Sequence, residues 1–258
     1  MASAPQQTGL PVLYNDLVPL SSEQHSDWGT KPLDGAHFLK NVHAVPVVID
    51  EFVQIQRTFP IIFAAAENPV PLALMGLNEG VNVFLDDEGK FNQPLYVPAY
   101  VRRYPFMLAQ LGQNPQELSL CFDPTSGAVG PDGEVTKLFD NGQPSEGTKG
   151  ILSFCESFEE GAQRTGAFVR ELQTLDLLMD GEVSIQAEGA EQPYIYRGFK
   201  MVNEEKLRDL RGDQLRKMMG NGMLTLIMAH LFSLDLMRDL FGRQAAQGKV
   251  PPQQGQAA

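Results

Sequence analysis

The side chains best suited to chemistry are concentrated in one short stretch, from Gln93 to Met107. It reads Gln-Pro-Leu-Tyr-Val-Pro-Ala-Tyr-Val-Arg-Arg-Tyr-Pro-Phe-Met, with three tyrosines, three prolines and an adjacent arginine pair. A guanidinium group binds carboxylate or phosphate through parallel hydrogen bonds and stacks on aromatic rings. We therefore predict a ligand site at Arg102 and Arg103, with Tyr96 and Tyr100 as its walls.

The alternative role for these two arginines is an internal ion pair, for example with Asp50, Glu51 or Glu79. We expect the stretch to be extended, so that neighbouring side chains point to opposite faces. One arginine would then face a pocket, and the other would face solvent or an acid. His43 and Glu51 complete the predicted ligand site, and either could act as a base if the protein is an enzyme.

The remaining reactive residue types favour structural roles, so we assign no catalytic residue. The chain has no Gly-x-Ser-x-Gly elbow, and Cys121 and Cys155 lie in apolar sequence without the basic neighbours that lower a thiol pKa. We expect two buried free thiols. His25-Ser-Asp27 has the form used by iron sites, but this tripeptide is common and a turn histidine is favoured. We expect His230, which lies in an apolar helix, to be a core residue. No metal and no cofactor are predicted.

The composition excludes several classes of partner. A net charge of -12 and a pI near 4.8 argue against nucleic acid, which requires a basic surface. The longest apolar stretch, Met223 to Met237, is shorter than the roughly 20 residues that a membrane span needs. The first eight residues lack the basic start and apolar core of a secretion signal, so we predict a cytoplasmic protein.

The order of predicted elements indicates the α+β class, with a strand-rich, mostly antiparallel N-terminal part and a helical C-terminal part. The predicted strands cover residues 60–66, 70–76, 81–91, 106–111 and 117–122, followed by a hairpin at 183–187 and 194–202. The predicted helices cover residues 49–59, 151–178, 203–209, 212–219 and 222–245. We expect a tight turn with positive φ at Gly89.

The domain organisation follows from the distribution of polar residues, proline and glycine. We predict a flexible tail at 1–11, a single domain over 12–246 and a disordered tail at 247–258. Residues 123–150 are rich in Gly, Pro, Asp and Ser, and could form an excursion from that domain. The closing helix is apolar on most sides, so it could be buried in its own fold or form a homodimer seam.

A set of short motifs carries a family resemblance. They are Tyr14-Asn-Asp-Leu-Val-Pro-Leu, His43-Ala-Val-Pro-Val-Val, Glu51-Phe, Phe59-Pro-Ile-Ile-Phe, Gly76-Leu-Asn-Glu-Gly-Val-Asn-Val-Phe, Tyr96-Val-Pro-Ala-Tyr-Val-Arg-Arg-Tyr-Pro-Phe, Gly198-Phe-Lys-Met-Val-Asn-Glu-Glu-Lys-Leu and Ala229-His-Leu-Phe-Ser-Leu. In this order they resemble the SapC family of bacterial proteins, over about residues 14–243. That family takes its name from a surface-layer-associated protein and has no settled activity, so the resemblance implies no catalytic residues.

Three functions remain open at this point. The first is a soluble, non-catalytic binding or accessory protein that recognises a small carboxylate, a peptide or a protein partner. The second is an enzyme acting on a small acid or peptide, with the arginine pair holding the carboxylate. The third is a structural protein associated with a surface layer, which rests on the family name alone.

Overall fold

The computed structural model describes residues 10–111, 118–187, 189 and 191–251. The strands are β1 (Val18–Pro19), β2 (Gly29–Thr30), β3 (Ala44–Pro46), β4 (Ile61–Ala64), β5 (Pro71–Leu74), β6 (Phe106–Gln110), β7 (Leu118–Phe122), β8 (Val129–Gly130), β9 (Thr136–Lys137), β10 (Phe139–Asp140), β11 (Gln143–Pro144), β12 (Leu178–Ile185) and β13 (Tyr194–Val202). The α-helices are α1 (Phe52–Ile55), α2 (Ala99–Arg102), α3 (Glu146–Thr174), α4 (Glu204–Arg208), α5 (Gly212–Gly220), α6 (Met223–Ser233) and α7 (Leu236–Ala246). Residues 1–9 and 252–258 of the two predicted tails lie outside the described part.

The largest sheet has five antiparallel strands in the order β12-β13-β4-β5-β3. Ile61 pairs with Ala73 at its centre, and Phe199 of the C-terminal hairpin pairs with Ala64. The first three residues of β4 are buried, and α6 packs against β4 and β13. The strands predicted at 60–66 and 70–76 and the hairpin at 183–202 are confirmed, as is the α+β class.

Two smaller three-stranded sheets have the strand orders β1-β7-β6 and β8-β2-β9. Side chains of these sheets and of the adjoining residues 138 and 139 form a second apolar cluster, in which Phe106, Phe122 and Leu138 are almost fully buried. Leu138 belongs to residues 123–150, and this segment forms β8 to β11.

The long helix α3 connects the two apolar clusters. Ser145 begins it as an N-cap, because its side-chain oxygen accepts a hydrogen bond from the Thr148 N–H at 3.1 Å. Cys155 packs in the second cluster, whereas Phe158 and Phe168, further along the same helix, pack in the main one. The first turns of α3 are therefore fixed between the small sheets and the main core.

The closing helical region differs from the prediction in one respect. The predicted helix over 222–245 is two helices, α6 and α7, separated at Leu234 and Asp235. His230 is fully buried and accepts a hydrogen bond from the Val202 N–H at its Nε2, while its Nδ1 lies 2.8 Å from the Ile61 carbonyl oxygen. It is a core residue, as predicted. None of the helices formed by the described residues has the length and apolar character required to span a membrane.

The segment predicted as a strand at 81–91 is a loop, and that prediction is wrong. A single bridge joins Leu85 to Phe91, and Gly89 takes the expected positive φ of 74°. The loop satisfies its polar groups with side chains from the C-terminal end of the chain: Gln247 donates to the Val83 carbonyl at 2.9 Å, and Lys249 donates to the Asn82 carbonyl at 2.9 Å.

Candidate functional site

The tyrosine–arginine stretch contains a short helix, α2, and our expectation of an extended segment is wrong. Pro98 is the N-cap residue, and its carbonyl accepts hydrogen bonds from the Val101 and Arg102 N–H groups. Proline suits a helix start because it has no N–H of its own to satisfy. Consecutive side chains on a helix diverge, so Arg102 and Arg103 still lie in different environments.

Arg103 is the buried arginine of the pair. Its side chain is 4% exposed, and its Nη1 donates to a Glu159 carboxylate oxygen at 3.0 Å. The guanidinium carbon lies 4.1 Å from the Phe158 ring centre and 4.6 Å from that of Tyr100. Its Nε is buried and has no hydrogen-bond partner among the described residues. Arg103 therefore takes the internal ion pair that was the alternative prediction, with Glu159 as its partner.

Tyr100 supports Arg103 from within the core. Its hydroxyl donates to the Val12 carbonyl at 2.6 Å, and burial raises its pKa while the Arg103 charge opposes that shift. The ring centre of Tyr14 lies 6.0 Å from the same guanidinium carbon, and the Tyr14 hydroxyl donates a hydrogen bond to the Phe106 carbonyl. Both tyrosines thus anchor the N-terminal segment and β6 around the buried cation.

Arg102 is the exposed arginine, and neutral groups hold it in place. Its Nε donates to the Val97 carbonyl at 3.0 Å, and its Nη2 donates to the Tyr96 hydroxyl at 3.0 Å. The guanidinium carbon lies 5.4 Å from the Tyr96 ring centre and 5.1 Å from that of Phe154. Among the described residues no carboxylate forms an ion pair with Arg102, and its Nη1 makes no hydrogen bond.

Glu51 is buried behind Tyr96. Its carboxylate accepts hydrogen bonds from the Ala99 N–H at 2.8 Å, the Tyr96 hydroxyl at 3.1 Å and the Val48 N–H at 3.3 Å. Burial raises the pKa of this carboxyl, and these three hydrogen bonds oppose the shift. Through Tyr96, the carboxylate also orients Arg102. Glu51 is therefore a support for the start of α2 and for Arg102.

No hydrogen bond or ring contact joins His43 to the other five predicted site residues, all of which the structure describes. Its carbonyl accepts hydrogen bonds from the Met75 and Gly76 N–H groups at the end of β5. Burial lowers the pKa of its ring, and the nearby Glu79 carboxylate opposes the shift. The structure thus forms two groups from the predicted set, Arg102 with Tyr96 and Glu51, and Arg103 with Tyr100, and leaves His43 outside both.

A cavity of about 500 Å³ adjoins the two arginines. One wall is residues 102–106, which connect α2 to β6. A second wall is the first turns of α3, where Gly150 and Phe154 face the space, and a third is β2 with Lys31. Of the predicted site residues, only Arg102 and Arg103 line this cavity.

Two features of the cavity wall could not be found from sequence motifs. Lys31 lies far from the arginines in the chain and reaches the cavity because β2 pairs with β8 and β9. Gly150 is an exposed glycine inside a helix, and a Cβ placed there would meet no atom within 4 Å. Cys155 also lines the cavity, and burial raises the pKa of its thiol to about 11.

A family model for SapC matches residues 20–240, which is most of the chain. The chain belongs to the SapC family. The comparison with curated proteins and the comparison with solved structures each found no match. The matched SapC region contains the cavity walls at Lys31, Arg102 and Gly150, so the candidate site lies within the part of the chain that defines the family.

Proposed function

We propose that this SapC-family chain is a non-catalytic binding or accessory protein that holds a small carboxylate ligand in the cavity beside Arg102. The proposal rests on the position and the contacts of the Arg102 side chain. Its guanidinium is oriented by Tyr96, Val97 and Phe154 and lines the cavity without a carboxylate partner of its own. A binding group that is already oriented loses less conformational entropy when the ligand arrives.

The charges around the cavity support an anionic ligand. Three cationic side chains, Lys31, Arg102 and Arg103, line the space, and no carboxylate does so among the described lining residues. This is notable in a chain whose net charge is -12. Asp132 and Glu159 form ion pairs with Lys31 and Arg103 from outside the lining, whereas Arg102 makes no direct contact with a carboxylate among the described residues and interacts with Glu51 only through Tyr96.

The groups at the cavity favour binding over catalysis. Cys155 is the thiol in the wall, and its raised pKa keeps it protonated and weakly nucleophilic. Glu51 accepts three hydrogen bonds behind Tyr96, and His43 lies elsewhere, so neither candidate base lines the cavity. A base must come within hydrogen-bond reach of the proton that it removes.

Isothermal titration with octanoate, benzoate, a dipeptide and inorganic phosphate tests the proposal. We expect a carboxylate to bind the wild-type protein and to lose at least about tenfold in affinity in Arg102→Met, since a charge-assisted hydrogen bond is lost. Arg208→Met is the matched control, because Arg208 is an exposed arginine of α4 paired with Glu204. Equal binding to wild type and Arg102→Met would refute the proposed site, and a preference for phosphate would change the ligand class.

The cytoplasmic location and the homodimer remain predictions with direct tests. Cell fractionation with an antibody against the chain should place it with cytoplasmic markers, and recovery in a surface fraction would favour the surface-layer alternative. Light scattering on the purified protein measures the molar mass, and the value for a dimer is expected if α6 forms the seam.

A further inference from the structure

The wall that α3 contributes to the cavity is a single stripe of the helix. Five residues of α3 line the space, and members of the set recur three or four positions apart: Gly147, Gly150, Ile151, Phe154 and Cys155. Residues at such intervals lie on one face of a helix. The order of these residues along the wall is therefore the order of the helix itself, from Phe154 to Ile151 and then to Gly150.

The charged group and the apolar wall meet at Phe154. The guanidinium carbon of Arg102 lies 5.1 Å from the Phe154 ring centre, and both residues line the cavity. A carboxylate bound to Arg102 would thus lie next to the α3 stripe. The rest of the ligand can follow the stripe past Ile151 to Gly150, which is about 6 Å along the helix. At Gly150 the space is open, because a Cβ there would meet no atom within 4 Å.

The surface along this path is apolar. Ile151 is half-buried and packs against the apolar cluster that contains Phe106 and Cys155, and all three residues line the cavity. Leu33 lines the same space and is 39% exposed. A hydrocarbon chain would remove the apolar surface of Ile151 and Leu33 from water. Each methylene group that becomes fully buried strengthens binding about fourfold.

The cavity provides no counter-ion for a positively charged group of a ligand. Two carboxylates interact with the arginines, Glu51 through Tyr96 and Glu159 directly with Arg103, and neither lines the cavity. No acidic residue occurs among the lining residues that the structure describes. An ammonium group on the carbon next to a bound carboxylate would lie close to the Arg102 guanidinium. Like charges about 4 Å apart repel each other even in water, so the site disfavours α-amino acids.

We propose that the ligand is a monocarboxylic acid with an aliphatic chain and no amino group. Arg102 binds the carboxylate, and Phe154 and Ile151 contact the chain. This inference rests on the carboxylate binding proposed above and specifies its ligand class. Selectivity has two separate sources, the apolar stripe that favours a chain and the missing counter-ion that disfavours an ammonium group.

Isothermal titration with acetate, octanoate and 2-aminooctanoate tests both sources. We expect octanoate to bind the wild-type protein at least about thirtyfold more tightly than acetate, because its chain covers the apolar wall. At neutral pH, 2-aminooctanoate has the same chain and should bind at least about fivefold more weakly than octanoate. The control is 2-hydroxyoctanoate, which carries a neutral group on the same carbon and should bind more tightly than 2-aminooctanoate.

The variants Ile151→Ala and Leu152→Ala form a matched pair. Both residues are half-buried in α3 and pack against the same apolar cluster, but Leu152 does not line the cavity. Ile151→Ala should weaken octanoate binding about fivefold and acetate binding much less, because the chain loses its contact. Leu152→Ala should bind both acids as the wild type does. A melting temperature for each variant verifies that it is folded.

The outcomes separate this inference from the proposed function. If acetate and octanoate bind the wild type equally, the aliphatic chain is refuted and the carboxylate site stands. If 2-aminooctanoate binds as tightly as octanoate, the exclusion of an amino group is wrong. Equal effects of Ile151→Ala and Leu152→Ala on octanoate binding would show that the α3 stripe does not contact the chain. If no acid binds the wild type, the carboxylate site itself is refuted together with the inference.

Discussion

Replacing Arg103 by methionine should destabilise the protein far more than the same change at Arg102. Methionine fills a similar volume without the charge, so Glu159 loses its partner. Stranding one member of a fully buried ion pair costs about 3–5 kcal/mol. Glu159 keeps 33% of its side chain in contact with solvent, which places the cost near the lower end of that range.

The two aromatic contacts of Arg103 adjust this figure only slightly. The cation–π interactions with Phe158 and Tyr100 contribute about 0.5–1 kcal/mol each, and the methionine side chain recovers part of this through apolar packing. The expected loss is about 3 kcal/mol, or a decrease of about 6–12 °C in melting temperature for a chain of this size. Arg102 is exposed and held by neutral groups, so its replacement should cost less than about 1 kcal/mol.

Urea unfolding of the two single variants measures both values. The double variant Arg103→Met with Glu159→Gln is the matched control, because it removes the stranded charge and should regain part of the lost stability. Equal losses for Arg102→Met and Arg103→Met would contradict the division of roles between the two arginines. No recovery in the double variant would show that the ion pair is not the source of the loss.

Four further predictions concern separate parts of the molecule. Gly150→Ala should raise the free energy of unfolding by up to about 1 kcal/mol, because glycine is a poor helix former. Gly150→Leu should stay folded and lose octanoate binding, because the leucine side chain would fill the open space of the cavity, and wild-type affinity in this variant would contradict the cavity assignment. Ile227→Asp, at a fully buried position of α6, should prevent folding, whereas Phe232→Asp, at a 63% exposed position of the same helix, should not, as circular dichroism can show. Burial lowers the pKa of His230 from 6.5 to about 4, so between these pH values the unfolded state binds a proton and the folded state does not. The free energy of unfolding should therefore decrease as the pH falls from about 6.5 toward 4, and its dependence on pH should be weaker in His230→Gln. Thiol titration should count two free thiols after denaturation and react slowly with the native protein, because both cysteines are buried and unpaired; a disulfide in mass spectrometry would contradict this.

The sequence was sufficient to predict most of the sheet because its strands are short apolar stretches bounded by proline and glycine. The prediction failed at Val81 to Phe91, where apolar and polar residues alternate as they do in a strand although the segment is a loop. There the polar backbone groups are satisfied by side chains such as Asn82, whose Oδ1 accepts from the Phe84 N–H at 2.9 Å. Such partners are distant or irregular in sequence, so periodicity cannot distinguish this loop from a strand.

The candidate site was predictable only in part, for a similar reason. The arginine pair and its aromatic neighbours are adjacent in the chain, so their composition revealed them. The helix α2 was missed because a proline-rich stretch suggests extended backbone, although Pro98 in fact begins a helical turn. Lys31 and Gly150 join the site only through tertiary packing, and neither residue type is a signal by itself. The ion pair of Arg103 with Glu159 likewise depends on where α3 crosses the α2 region.

The most direct test of carboxylate binding at Arg102 is a nuclear magnetic resonance titration of nitrogen-15-labelled protein with octanoate. The side-chain Nε–Hε signal of Arg102 and the backbone amides of Gly150 and Ile151 should shift together and saturate with one dissociation constant, because these groups line the same cavity. The Nε–Hε signal of Arg208 reports any general effect of the acid. Shifts confined to Arg208 and other surface groups, or no saturable shift at Arg102, would contradict the proposed carboxylate site.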